Sequence, residues 1–274
     1  MSDRAPIPRD SANDYTPEMA ERRAEFLREK TGTTLNHVRR ASFDPHVLPG
    51  NIENFIGVAQ VPIGLAGPLR INGEHARGDF YVPLATTEGT LVASYSRGMR
   101  VLSECGGVTA TVVKRSMQRA PVFMFATARE ARDFGEWLIQ RFDDVKQAAE
   151  ATTRSGQLVE IEQYAIGNLL YLRFNYTTGD AAGQNMTGKA THAACEWIHA
   201  THPARPKYML SGSIDTDKKH SAINTLRTRG RRVVAEAVIK NDVLQRLMRV
   251  DTRTLFKARQ VSNAGALLAG TAYN

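Results

Sequence analysis

Disulfides and metal clusters are excluded first, because the sequence has little to build them from. Its 274 residues hold only two cysteines, Cys105 and Cys195, far apart and without ligand spacing. That rules out a disulfide scaffold and a zinc finger, and it points to a reducing cytoplasm. No stretch reaches eighteen consecutive apolar residues, so neither a transmembrane helix nor a membrane partner is expected. The polar, Pro/Asp-rich lead from Met1 to Tyr15 lacks the apolar region of a signal peptide and reads as disordered. The Gly-x-Gly-x-x-Gly fingerprint of dinucleotide-binding Rossmann folds is absent. Aromatic residues are only 7% and no Lys/Arg block reaches five, so the pattern of a nucleic-acid binder is missing too.

What remains is globular in kind, with 42% hydrophobic and 23% charged residues in a length that suits one large domain or two small ones. The net charge of +8 comes mainly from scattered arginines, among them Arg22-Arg23, Arg39-Arg40 and Arg231-Arg232. A cationic surface of this sort suits nucleic acid, a membrane face or small polyanionic ligands, and motifs must decide between them.

Thr16-Pro17-Glu18 opens a helix. Thr16 can cap it, Pro17 suits its first position, and Gly32 is its stop. A second helical piece is expected at Leu35–Arg40. The Gly/Pro-dense stretch Asn51–Leu69 reads as ordered loop and strand, Gly78–Leu84 as a strand, and Thr90–Cys105 as a helix. A strand follows from Val108 to about Met117. Beyond it come a strand at Val122–Ala126, one long helix at Ala128–Ala151 and strands at Leu158–Ala165 and Leu169–Tyr176. A helix at Gln184–Ala200 and a strand at Tyr208–Ile214 complete the run. That order is β-α-β-β-α-β, the ferredoxin-like split unit. The chain then predicts a strand at Arg231–Ile239, a short helix through Met248 and a last helix at Arg253–Leu268. The small, apolar tail Ala264–Asn274 suggests a chain that stops inside a buried element, and so an incomplete sequence.

Three motifs could carry chemistry. In Thr86-Thr87-Glu88-Gly89 a carboxylate sits at a strand-to-helix turn. It is either a general acid, if burial raises its pKa, or a complement to the helix N-terminus. In Ser211-Gly212-Ser213-Ile214-Asp215-Thr216-Asp217-Lys218-Lys219 two carboxylates meet two ammonium groups after a strand, as an oxyanion stabiliser or as a solvated turn. In Gly179-Asp180-Ala181-Ala182-Gly183-Gln184-Asn185-Met186 small residues lead into a helix. The loop either offers backbone N–H groups to a phosphate or is a tight connection capped by Asn185.

In that order and at those spacings, and together with Glu53-Asn54-Phe55-Ile56-Gly57 and Pro62-Ile63-Gly64-Leu65-Ala66-Gly67-Pro68-Leu69, the motifs resemble hydroxymethylglutaryl-CoA reductase from about residue 33 onward. The resemblance implies an α/β (α+β) fold. A large α/β domain (51–120 and 216–274) would hold the CoA thioester, preceded by a helical arm (1–50). An inserted ferredoxin-like domain (121–215) would hold NADPH, with NADH possible. It implies reduction of the thioester to mevalonate and CoA by two hydrides, in a cytoplasmic homodimer or larger homo-oligomer with Glu53-Asn54 at the subunit contact. By the same resemblance Glu88 is a proton donor and Lys218 polarises the carbonyl oxygen. Arg119, Ser211, Asp217 and Lys219 meet the substrate, Ser94 and Arg97 meet CoA, and Asp180, Asn185 and Arg154 meet the cofactor. CoA, NADPH and a carboxylate substrate are all anions, which accounts for the basic balance.

Gln184 stands where many animal and fungal members carry Met, which places the chain in a bacterial or archaeal-like branch. The family's catalytic Asp, in a Gly-Gln-Asp run, and its late thiolate-protonating His have no counterpart here. His192, His199 and His202 fall on or beside a helix and read as surface or packing residues. The chain by itself is therefore expected to bind its ligands weakly and not to turn over. The alternative is a non-catalytic CoA- or nucleotide-binding relic.

Overall fold

A computed structural model describes residues 5–270, and the chain divides into two compact units. One comprises residues up to Leu69 with Asp79–Glu104 and the segment from Asn241 onward, and the other Arg70–Gly78 with Cys105–Lys240. Residues 1–4 of the lead and 271–274 of the apolar tail lie outside the described residues.

In the first unit α1 (Pro17–Thr31) starts where its cap predicts. Thr16 Oγ1 accepts from the Met19 N–H at 3.2 Å, and Gly32 ends the helix in the left-handed conformation. Its Arg23 is 1% exposed. The buried guanidinium is held by an ion pair to Asp14 and by the carbonyls of Pro8, Asp14 and Phe55, at 3.0, 2.9 and 3.3 Å. That pins the arm to the 51–57 stretch. Residues 36–39 form only a turn, not the second helical piece the spacing suggests. At Gly57 (φ +148°) a Cβ would overlap the Val38 carbonyl, so the close approach of these loops requires glycine. Strands β1 (Ile63–Gly73) and β2 (Arg77–Ala85) follow, then α2 (Leu91–Glu104).

The second unit supplies most of the core. Strand β3 (Val108–Arg119) pairs in parallel with the end of β1 and antiparallel with β8 (Gly230–Glu236). Between them lie β4 (Val122–Met124), α3 (Ala128–Gln140), α4 (Phe142–Glu150), β5 (Gln157–Ile166), β6 (Leu169–Thr177), α5 (Gln184–Thr201), β7 (Lys207–Met209) and α6 (Ala222–Arg227). The neighbours run β5-β6-β4-β7, each pair antiparallel. The inner face of this sheet and the helices laid over it enclose Phe123, Phe134, Leu138, Leu158, Leu172, Phe174, Tyr176 and Ile198.

Further details differ from the sequence reading: within the lead expected to be disordered, Pro8 and Asp14 are fixed against the buried Arg23. The expected long helix breaks at Arg141 (φ −108°, ψ 15°), and Phe142 restarts it while packing inward. The strand expected to reach Ile214 stops at Met209, and α6 was not foreseen. The last helices are α7 (Asn241–Met248) and α8 (Thr252–Ala269), and α8 buries none of its residues. Leu267 and Leu268, in the tail expected to be buried, are 74% and 91% exposed.

Candidate functional site

The first cluster forms where β3 ends and the segment after β7 returns to it. Gly212 donates its N–H to the Ala120 carbonyl at 2.7 Å, and a Cβ at Gly212 would press on Tyr171 and Val122. This close seat brings Arg119 and Ser211 together around Asp215, which is 4% exposed. Ser211 Oγ donates to Asp215 Oδ2 at 3.1 Å, and Arg119 Nη1 lies 3.5 Å from the same oxygen. Arg119 Nε is buried and finds no partner among the described residues. Arg229 completes the group by donating from Nη1 to the Gln118 carbonyl at 3.0 Å and from Nε to the Asp217 carbonyl. Burial lowers the Arg229 pKa, and the nearby Asp215 opposes that shift.

Asp217, Lys218 and Lys219 stand exposed on the adjoining loop. The Lys218 N–H first, and the Lys219 ammonium after it, hold the Asp217 carboxyl below the usual carboxylate range; Lys219 Nζ lies 3.4 Å from its Oδ2. The loop is strained: Ser213, Thr216 and Asp217 have φ of 67°, 61° and 49°. Such residues cost of order 1–3 kcal/mol each and persist only when neighbours over-determine them. Asn224, on α6, does so here. Its Nδ2 donates to Thr216 Oγ1 at 2.7 Å and to the Lys219 carbonyl at 3.1 Å. Its Oδ1 accepts from Arg173 Nη2 at 3.0 Å.

Arg173 leads into a buried polar network. It is 0% exposed, pairs with Glu162 at 3.4 Å and donates to the Thr228 carbonyl at 3.2 Å. Glu162 also accepts from Asn175 at 3.0 Å and from the Tyr164 hydroxyl. Gln118 Nε2 links Ser116, Asn175 and the Thr228 carbonyl. Arg229, Asn224, Arg173 and Glu162 escaped the sequence reading, and Asp215 was read only as one of two carboxylates in its motif, because a local pattern does not say which distant charge a residue will pair with.

The second feature of this unit is a cavity of about 630 Å³ beside the loop that opens α5, well within the range of small-molecule sites. Asp180, with Gly179, Ala181 and Ala182, lines one side, Ser155 and Gln157 another, and Arg115 and Arg231 a third. Gly183 (φ +78°) caps α5 and brings no side chain to its first N–H groups. Asn185 is therefore not the cap; it sits one residue inside the helix, exposed. The small residues keep the wall low, and a helix start without a side-chain cap is the donor set that phosphate takes. These residues fit a nucleotide's phosphates. Arg154 is exposed in the turn before β5, next to Ser155.

Glu88, Ser94 and Arg97 belong to the other unit. Glu88 is exposed, with its N–H on Thr86 Oγ1 at 2.9 Å, in the turn between β2 and α2. Thr90, at φ 65°, sets the helix entry. Ser94 and Arg97 lie three residues apart on α2, both exposed, which places them on neighbouring positions of one face. The three histidines are packing and surface groups. The His202 ring meets Trp137 edge-on at 4.8 Å, His199 Nδ1 lies 3.1 Å from the Pro206 carbonyl, and His192 Nδ1 lies 3.2 Å from the Tyr208 hydroxyl.

Comparison with known proteins agrees with these motifs. The family model described as hydroxymethylglutaryl-coenzyme A reductase matches residues 19–274. The 3-hydroxy-3-methylglutaryl-coenzyme A reductase of Pyrococcus abyssi is 41% identical over 252 residues, which cover 91% of this chain and 62% of the relative. That of Aeropyrum pernix is 43% identical over 249 residues, covering 90% and 59%. The chain thus spans about three-fifths of the length of these relatives. Among solved structures, the class II 3-hydroxy-3-methylglutaryl-CoA reductase of Streptococcus pneumoniae, bound to NADPH in open conformations, shares the fold. Its TM-score is 0.55 and its identity 17%, over 90% of this chain and 56% of that one. From the family match and the archaeal identities, the chain belongs to the hydroxymethylglutaryl-coenzyme A reductase family.

Proposed function

We propose that the protein of which this chain forms part or all reduces 3-hydroxy-3-methylglutaryl-CoA to mevalonate and CoA. The observation that carries this reading is the family match across residues 19–274. Arg119 and Ser211, both drawn to Asp215, hold the substrate carboxylate; Asp217 and Lys219 border it. Lys218 is a compact cation on a loop fixed by Asn224 and Arg229, and it stabilises the negative charge that grows on the carbonyl oxygen. Glu88 supplies a proton, and Ser94 and Arg97 bind CoA.

The cavity beside α5 holds the dinucleotide, with Asp180 and Asn185 at the helix start and Arg154 at its edge. A nicotinamide dinucleotide held there would supply the hydride chemistry. NADPH is the favoured form, since a further phosphate suits a wall with this many guanidiniums. The segment 121–215 serves as the inserted cofactor domain, in ferredoxin-like order. Among the described residues no helix is long and apolar enough to cross a membrane. The working form is a cytoplasmic homodimer with Glu53-Asn54 at the contact; a monomer in sedimentation at micromolar concentration counts against that.

The test is direct. Purified chain is mixed with NADPH and 3-hydroxy-3-methylglutaryl-CoA, and NADPH absorbance and mevalonate are followed, with calorimetric binding of each ligand in parallel. Substrate-dependent oxidation supports the reading. Failure to bind either ligand overturns it; binding without oxidation is what is expected of the chain by itself, and a longer form carrying the family's Asp and His that still does not oxidise NADPH favours a non-catalytic binding protein.

A further inference from the structure

The antiparallel register of β3 and β8 sets like charges directly opposite each other twice, Lys114 against Arg232 and Arg115 against Arg231. Directly opposed cations destabilise a strand pair unless something offsets them. Side chains alternate across a strand, so the two pairs face opposite sides of the sheet. The Arg115–Arg231 pair is the one that lines the 630 Å³ cavity.

The surroundings do little to neutralise it. Arg231 Nη2 donates to the Gly179 carbonyl at 3.0 Å, which turns its guanidinium toward the loop before α5. Its ion-pair partner, Asp180, is 4.0 Å away and fully solvated. Arg115 makes no ion pair among the described residues. Its Nη2 lies 3.1 Å from His75 Nε2, a bond that needs an unprotonated ring nitrogen and so adds no negative charge. The same cavity is bounded by Gly179–Ala182, which lead to the α5 N-terminus where no side chain caps the helix. Two guanidinium forks and a helix start therefore share one concavity with a single distant carboxylate. A guanidinium fork matches the oxygens of a phosphoryl group two at a time.

We propose that Arg115 and Arg231 form a two-guanidinium clamp on the β3–β8 wall of this cavity that binds a phosphoryl group of a dinucleotide. The inference rests on the reading of the cavity as the cofactor site. The phosphoryl group is either the bridging diphosphate or a 2′-phosphomonoester, and two ligands separate these, since NADH carries only the first and NADPH both.

The experiment titrates NADPH and NADH into the full chain and into Arg115→Gln, Arg231→Gln and the double variant. Ligand fluorescence and calorimetry are read, and melting confirms that each variant is folded. Loss of one charge-assisted contact should weaken binding about 10- to 100-fold. An equal loss for both ligands assigns the clamp to the diphosphate, and a loss confined to NADPH assigns it to the 2′-phosphate; either result supports the clamp. Should Arg231→Gln unseat the Gly179 loop, Arg115→Gln and Arg115→Lys decide alone, the lysine keeping charge without the fork and losing less. If wild-type chain binds a dinucleotide and both Arg115 variants match it within about twofold, the clamp is wrong while the cavity reading stands. If the wild-type chain binds neither ligand, both fall.

Discussion

Glu162 offers the sharpest test of how the loop bearing Lys218 is held. Its carboxylate faces Arg173 at 3.4 Å, and the two side chains are 4% and 0% exposed. Glu162→Ala strands a buried guanidinium, whose charge burial already disfavours and Glu162 supports. Breaking one side of such a pair costs about 3–5 kcal/mol. The Asn175 amide and the Tyr164 hydroxyl lose an acceptor as well. Because these groups form one network their costs do not add, so a loss of about 4 kcal/mol is expected. Glu162→Ala/Arg173→Met removes both charges and should be more stable than Glu162→Ala, since nothing charged is left stranded. Urea unfolding followed by fluorescence of Trp137 and Trp197 reports on the right unit, because these rings stack at 6.2 Å on the edge of its core. A loss below about 1 kcal/mol for Glu162→Ala, or a double variant destabilised by the sum of both singles, refutes the reasoning.

Wherever turnover is measurable, Lys218→Ala should lower it about 10²–10³-fold while thioester binding changes less; near-normal turnover removes Lys218 from the chemistry. Gly183→Ala places a Cβ against Thr178 at φ +78° and should weaken dinucleotide binding as the loop shifts; unchanged affinity in a folded variant argues against phosphate contact there. Cys195 is buried and its thiol pKa is pushed far up, whereas Cys105 is half-buried. A thiol reagent at mild alkaline pH should therefore count one cysteine in native protein and two in denaturant, and rapid native labelling of Cys195 contradicts the packing. Burial against Phe134 and Trp137 lowers the His202 pKa below the ordinary 6.5. The unfolded chain takes up this proton first, so the contribution to stability is full above pH 6.5 and lost as pH falls below it toward the folded value. His202→Phe should flatten that part of the melting profile, and an unchanged slope excludes His202 as its source.

Local chemistry was legible in the sequence. Thr16, Pro17 and Gly32 bracket α1 because capping is settled within a few residues, and the strand order from Val122 to Met209, with helical segments after its first and third strands, follows from periodicity. The Gly179–Gly183 loop was legible as small residues leading into a helix, and the structure gives both of those glycines left-handed positions. Long-range pairing was not legible. Nothing local distinguishes Asp215 from Asp217, yet one is buried between Ser211 and Arg119 and the other is solvated. The break at Arg141 and the short β7 depend on how Phe142 and the 210–219 segment pack, which propensity does not encode. The motifs, in their order and spacing, carried the resemblance to the family that the comparisons then showed. Tertiary structure decided which charges are buried and paired and which line a cavity, because the desolvation that makes the difference is set by neighbours distant in sequence.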